Sequence, residues 1–187
     1  ILKELENASR YIFIEFFILA EGQMWDRIHK ILTEKAKAGV EIKIIFDDFG
    51  SIKRQSKGFV SRLKSEGIEV AVFNPINPFM NIFMNNRNHR KIIVIDGKTA
   101  FTGGFNIGDE YCNYVERFGY WKDSAVIIKG SAVKSFLCMF CSMWEFTTRK
   151  PIKMENYICD FSVESDGFVI PYSDDPIDDK NPAEGIY

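Results

Sequence analysis

Residues 11–19, YIFIEFFIL, place eight apolar or aromatic side chains in nine positions, broken only by Glu15. A continuous run of strand formers is the pattern of a strand buried on both faces of a sheet. A short helix is expected before it over residues 1–10, with Leu2 and Leu5 on one face. After it the period changes. In residues 24–39, MWDRIHKILTEKAKAG, Trp25, Ile28, Ile31 or Leu32, and Ala36 recur at helical spacing, and Gly39 is the stop. Residues 40–49 (VEIKIIFDDF) read as a second strand, residues 57–67 as a second helix ending at Gly67, and residues 68–74 (IEVAVFN) as a third strand. Strand, helix, strand, helix, strand is the pattern of parallel crossover units, which are right-handed.

The pattern breaks after residue 74. Residues 75–88, PINPFMNIFMNNRN, hold two prolines and several asparagines and read as a loop. Residues 91–103 read as a hairpin turning at Asp96-Gly97, and residues 124–130 as a further strand. Residues 131–146 form an apolar helix whose buried stripe is Val133, Phe136 or Leu137, Phe140, and Met143 or Trp144. The stretch from residue 172 is acidic and contains prolines, the composition of an extended linker. The domain is therefore expected over residues 1–172, with a linker over 173–187.

With 187 residues there is material for one domain, and 46% hydrophobic and 14% aromatic residues suit a sheet-rich core. A net charge of −2 and a pI of about 5.8 supply no global basic field, so nucleic acid is not an expected partner. Cys138 and Cys141 stand three apart in the apolar helix with no further ligand near them, so buried thiols are expected there and not a metal site. No apolar run reaches the roughly 18 residues of a membrane span. The chain starts at Ile1, which suggests a piece of a longer protein whose membrane anchor lies elsewhere.

Residues i and i+2 of a strand share a face, so His89 and Lys91 project together. Alone, such a pair is usually the solvated start of an edge strand. Here Asp96 follows, then Gly103-Gly104, then Asn106. Lysine and an asparagine amide are donors suited to phosphate oxygens, glycines after a strand admit a close-lying ligand, and a neutral imidazole is a competent nucleophile toward phosphorus. Glu15 shares a strand face with Tyr11, Phe13 and Phe17, and a buried carboxylate needs a partner. That partner belongs either to the surroundings of an active site or to a plain structural ion pair.

The string His89-x-Lys91, four residues, Asp96, six residues, Gly103-Gly104-x-Asn106 resembles the signature of the phospholipase D superfamily. The longer string NHRKIIVIDGKTAFTGGFNIGDEY resembles the first such motif of bacterial cardiolipin synthases, and EFFIL and GYWKDSAVIIKGSAV are similar to the same family. The resemblance covers most of residues 8–187. It implies an α/β fold with a mixed sheet flanked by helices on both faces. It implies that His89 forms a phosphohistidine or acts as general acid, and that Lys91 and Asn106, with Gly103 and Gly104, surround the phosphate. Asp96 belongs to the catalytic motif with His89 and Lys91, in the role of holding the strand and its neighbours. Asp123 would accept a hydrogen bond from the catalytic imidazole. No metal and no cofactor are implied. The activity implied is phosphatidyl transfer between two phosphatidylglycerols at a cell membrane, giving cardiolipin and glycerol.

That chemistry needs two imidazoles facing each other across one phosphate. The only other histidine, His29, lies among polar helix residues without a lysine or asparagine motif, and reads as a surface or helix-packing residue. The chain thus supplies half a site. It is the first half of a two-motif enzyme, a self-pairing phosphodiesterase or nuclease, or a non-catalytic module that binds anionic phosphate groups. The low pI counts against a nuclease. The expected partners are phosphatidylglycerol, cardiolipin, a membrane surface, and a second half or second copy. In the loop over residues 75–88, Phe79 and Phe83 are read either as core residues or as a lip dipping toward acyl chains, with Arg87 and Arg90 meeting headgroups.

Overall fold

Strand β1 (Tyr11–Phe16) is buried at every position and has a neighbour on each edge. In the computed structural model, which describes residues 1–76, 86–165 and 167–173, it is the axis of a six-stranded sheet. The others are β2 (Glu41–Asp47), β3 (Glu69–Phe73), β4 (Lys91–Ile95), β5 (Thr99–Gly103) and β6 (Ala125–Lys129), in the order β3-β2-β1-β4-β5-β6. β1, β2 and β3 run parallel, as the crossover pattern predicts. β4 joins the other edge of β1 antiparallel, with Phe16 opposite Lys91, and β5 and β6 continue antiparallel. The sheet is therefore mixed. The order of strands reverses at β1, and in open α/β sheets the crevice at such a point, beyond the strands' carboxyl ends, is where ligands bind.

The two faces of β1 feed two cores. Ile12, Ile14 and Phe16 pack with Leu5 of α1 (Leu2–Glu6), Trp25, Ile28 and Leu32 of α2 (Gln23–Lys37), and Phe59 and Leu63 of α4 (Phe59–Ser65). Tyr11 and Phe13 pack with Phe136, Leu137, Phe140 and Trp144 of α5 (Val133–Thr148), and Phe13 stacks on Phe140 at 4.6 Å between ring centroids. Both crossover helices lie on one face and α5 on the other, so helices flank the sheet on both sides.

Several local features depart from the sequence pattern. The apolar run continues to Leu19, but β1 stops at Phe16 because the Ile18 amide donates to the side chain of Asn106 and Leu19 makes only an isolated bridge to Ile107. β2 stops at Asp47, not at residue 49. The Asp47 carboxylate accepts from the amides of Phe49 and Gly50 and starts a short helix, α3 (Asp48–Ser51), as an N-cap does. Cys141 is buried, and burial pushes its thiol up to about 12, but Cys138 is exposed, so only one thiol of the pair lies on the buried stripe. Among the described residues there is no cluster suited to a metal ion, and no helix is long and apolar enough to cross a membrane. Phe79 and Phe83, and nearly all of the expected acidic linker, lie outside the described residues.

Candidate active site

His89 and Lys91 sit where β4 begins, against the carboxyl ends of β1 and β2. The Lys91 ammonium lies 3.1 Å from Nδ1 of His89 and donates to the His89 carbonyl oxygen at 2.6 Å. Phe17, just past β1, supports both: its ring centroid is 4.8 Å from the imidazole, and the Lys91 Nζ lies 5.6 Å from it. Lys91 is buried, and burial lowers its ammonium to about 8, with the charge of Asp123 pulling the other way. Burial also lowers the pKa of His89, the Lys91 charge lowers it further, and Asp47 opposes both. Burial and Lys91 thus favour the neutral imidazole, the form that acts as a nucleophile.

Asn106, on the segment after β5, is tied to the residue that follows Phe17. Its Oδ1 accepts from the Ile18 amide at 3.0 Å and its Nδ2 donates to the Tyr111 hydroxyl at 3.0 Å. An amide nitrogen carries two hydrogens, so one donor remains beside the fixed one. The loop that follows is anchored to the start of α2 through Asp109, which accepts from the amides of Gln23 and Met24 at 3.0 and 2.8 Å. Tyr111 meets Trp121 edge-on at 5.1 Å, and the Trp121 indole donates to Asp123 at 3.0 Å.

Gly103, Gly104 and Asp123 have different surroundings from those expected, and a fourth predicted site residue, Asp96, stands away from the crevice. Asp96 is not beside His89 and Lys91. It lies at the opposite end of β4, where Oδ1 accepts from the amides of Arg10 and Tyr11 at 2.8 and 2.9 Å, and Oδ2 accepts from the amide and hydroxyl of Ser9 at 2.8 and 2.9 Å. Burial would raise its pKa, but the three backbone amides and the hydroxyl outweigh burial and hold it below the ordinary 3.8. It fastens the start of β1 to the hairpin and touches no part of the crevice. Gly103 and Gly104 make room for protein: a Cβ on Gly103 would lie 2.5 Å from the Ser124 carbonyl oxygen, and one on Gly104 would collide with the Asp123 carboxylate. The Asp123 carboxylate is held by Trp121 and by the Ser124 amide at 2.7 Å, and its electrostatic influence falls on Lys91; the described contacts contain no hydrogen bond from it to His89.

Glu15 is fully buried on the α5 side, with Oε1 accepting from Asn88 Nδ2 at 2.8 Å and Arg90 Nε at 2.6 Å. Burial raises its pKa, although Arg90 and Asn88 draw it back. The ion pair is real, and its two partners flank His89. Asp47, Asn88, Tyr111 and Trp121 were not singled out as site residues by sequence, and Arg90, read there as meeting headgroups, is turned to Glu15 and the Met139 carbonyl. The nearest signal was the acidic end of the apolar β2 run. His29 stacks on Trp25 at 5.4 Å and pairs with Glu66 at 2.5 Å, so it packs α2 against the end of α4.

A mixed sheet with a histidine and a lysine at its switch point, and a buried asparagine on the loop after β5, is the arrangement of a phospholipase D-type domain. The sequence model described as "Cardiolipin synthase, PLD-like domain" matches residues 1–144, and the chain belongs to that family. An uncharacterized protein of Streptococcus mutans is 45% identical over 99% of this chain and 40% of its own length. A cardiolipin synthase of Geobacillus is 39% identical over 89% of this chain and 33% of its own length, and one of Alkalihalophilus pseudofirmus is 40% identical over 84% and 31%. The chain thus spans about a third to two fifths of these relatives. Among solved structures, the phospholipase D family member NUC from Salmonella typhimurium shares the fold, with a TM-score of 0.53 at 18% identity, covering 87% of this chain and 88% of that one.

Proposed function

We propose that this chain supplies one half of a phosphatidyltransferase site that makes cardiolipin from two phosphatidylglycerols. The observation that carries the reading is the His89 imidazole 3.1 Å from the buried Lys91 ammonium, in a chain of the cardiolipin synthase family. A nitrogen of His89 attacks the phosphodiester phosphorus. The P–N bond forms, the P–O bond to the headgroup glycerol breaks, and the glycerol oxygen takes a proton from a second imidazole. A hydroxyl of the second phosphatidylglycerol then gives its proton to that imidazole and attacks phosphorus, and the P–N bond breaks. Lys91 and the remaining Asn106 donor meet the non-bridging oxygens, where charge accumulates in the transition state. Since His29 is committed to Glu66 and Trp25, the second imidazole comes from another half of the same polypeptide or from a second copy of this chain.

The test incubates the full-length protein containing this chain with phosphatidylglycerol and reads adducts by mass after an alkaline quench. A phosphatidyl group on His89, with glycerol released, is expected. His89→Ala should abolish the adduct and lower cardiolipin formation by at least about 10²-fold. Parental activity in that variant would refute the assignment.

A further inference from the structure

The segment that carries His89 precedes β4 and has no ladder hydrogen bonds of its own. Two buried carboxylates take their place. Asp47, the last residue of β2, and Glu15, near the end of β1, are both fully buried. By strand alternation Glu15 lies with Tyr11 and Phe13, and Asp47 with Ile45, on the face covered by α5. Both grip the same short stretch. Asp47 Oδ2 accepts from the Asn88 amide at 2.9 Å and its Oδ1 from Arg87 Nη1 at 3.2 Å. Glu15 Oε1 accepts from Asn88 Nδ2 and Arg90 Nε. Asn88 closes the circuit, its Oδ1 accepting from the Arg90 amide at 3.1 Å, and Arg90 Nη2 reaches the Met139 carbonyl of α5 at 3.1 Å. Residues 87, 88 and 90 are thereby pinned, and the residue between them is His89.

We propose that Glu15, Asp47 and Asn88 form a buried cradle that positions His89 for reaction. Capping α3 accounts for Oδ1 of Asp47, but not for its Oδ2 on the Asn88 amide or for Glu15. Two buried carboxylates each carry a desolvation cost of several kcal/mol, and apolar side chains of similar size at the ends of β1 and β2 would hold a sheet at least as well. Among the described residues Oε2 of Glu15 has no hydrogen-bond partner, and all the bonds of this carboxylate go through Oε1 to Asn88 and Arg90. What the cradle supplies is geometry, and a misplacement of about 1 Å at a reacting group costs on the order of 10²-fold in rate. The inference rests on His89 as the reacting group, and its test reads His89 directly.

The test uses the fact that the chain has two histidines. With isotope-labelled imidazoles, His89 and His29 are followed by NMR across pH, and His29, paired with Glu66 on a different part of the fold, is the internal control. The charges acting on His89 are those of Lys91 on β4 and Asp47 on β2. In Asn88→Ala the His89 ring signals are expected to shift and broaden while those of His29 stay. In Asp47→Asn the His89 midpoint is expected to move to lower pH, because the charge that favours the imidazolium is gone. In the full-length protein, Asn88→Ala should lower kcat by about 10²-fold with little change in KM. Glu15→Gln keeps the shape of the cradle but loosens its hold on Arg90, so the His89 ring signals should shift less than in Asn88→Ala, with the midpoint unchanged. It decides the matter if the other variants do not fold. Folded variants with unchanged His89 signals and parental kcat would overturn the proposal and leave a structural ion pair. His89 shifts without any transfer activity in the parent would instead uphold the cradle and refute the phosphatidyltransferase reading.

Discussion

Replacing Asp96 with Asn exchanges one carboxylate oxygen for an amide NH2 and changes almost nothing in shape. Asp96 has φ of 54°, and asparagine tolerates the left-handed region at least as well as aspartate, so backbone strain does not confuse the result. The four bonds from residues 9–11 are the whole effect. One oxygen still serves two of them, now without charge assistance. The new NH2 faces the Ser9 amide and hydroxyl; the hydroxyl rotates to accept, and the amide is left unpaired. Ser9 is exposed, so leaving its amide unpaired costs toward the low end of the roughly 1–3 kcal/mol of a buried donor, and a hydrogen bond to a charged group exceeds a neutral one by about 1 kcal/mol. Allowing for non-additivity, the loss is about 2–4 kcal/mol, a large share of the roughly 5–15 kcal/mol that holds a domain together. The urea midpoint should then fall by about 1–2 M at unchanged slope. The pH dependence follows from sign. Asp96 is depressed below 3.8 in the folded chain, so its contribution is fully present above that value and disappears as pH falls through its folded pKa. The gap between parent and variant should therefore narrow only in acid. Asp96 stands roughly 20 Å along the strand from His89, so kcat of the folded variant should match the parent. A variant as stable as the parent but with kcat reduced tenfold or more would refute the division of the motif into a reacting end and a fastening end.

Lys91 should bind anions only while it is charged: affinity for sulfate, whose own charge is constant over the range, is expected to hold below about 8 and fall above it, and isothermal titration from acid to alkaline pH with a Lys91→Met control checks this. Gly103→Ala and Gly104→Ala should each lower stability by about 1–3 kcal/mol through overpacking against Ser124 and Asp123. Thermal melts decide this, and parental melting temperatures in both would show that the segment at 123–125 moves aside freely.

Much of the fold was legible because burial on both faces leaves a plain mark: the run around Phe13 and the period of Trp25, Ile28 and Leu32 are direct images of the cores they fill. Element ends were less legible where a side chain from far along the chain decides them. β1 stops because Asn106, 88 residues away, claims the amide of Ile18. The pairing of His89 with Lys91 followed from a period of two, but the cradle beneath them did not. Its bonds join residues separated by 41 and 73 positions, and no local pattern records such a partnership. Gly103 and Gly104 were recognised as meaningful and given the wrong neighbour, since a missing side chain says that something comes close without saying what.

The switch point at β1 also has a temporal meaning. Its one parallel neighbour, β2, follows early in the chain, but the antiparallel pairing of Ile12 with Ile95 spans 83 positions. At a synthesis rate of about 5–20 residues per second, that edge of β1 waits about 4–17 s for its partner to emerge. During that interval an apolar strand with one unpaired edge is exposed to other chains. The pairing that ends the exposure is the one that sets Lys91 opposite Phe16, so the nascent domain remains open to misassociation until its reactive strand docks.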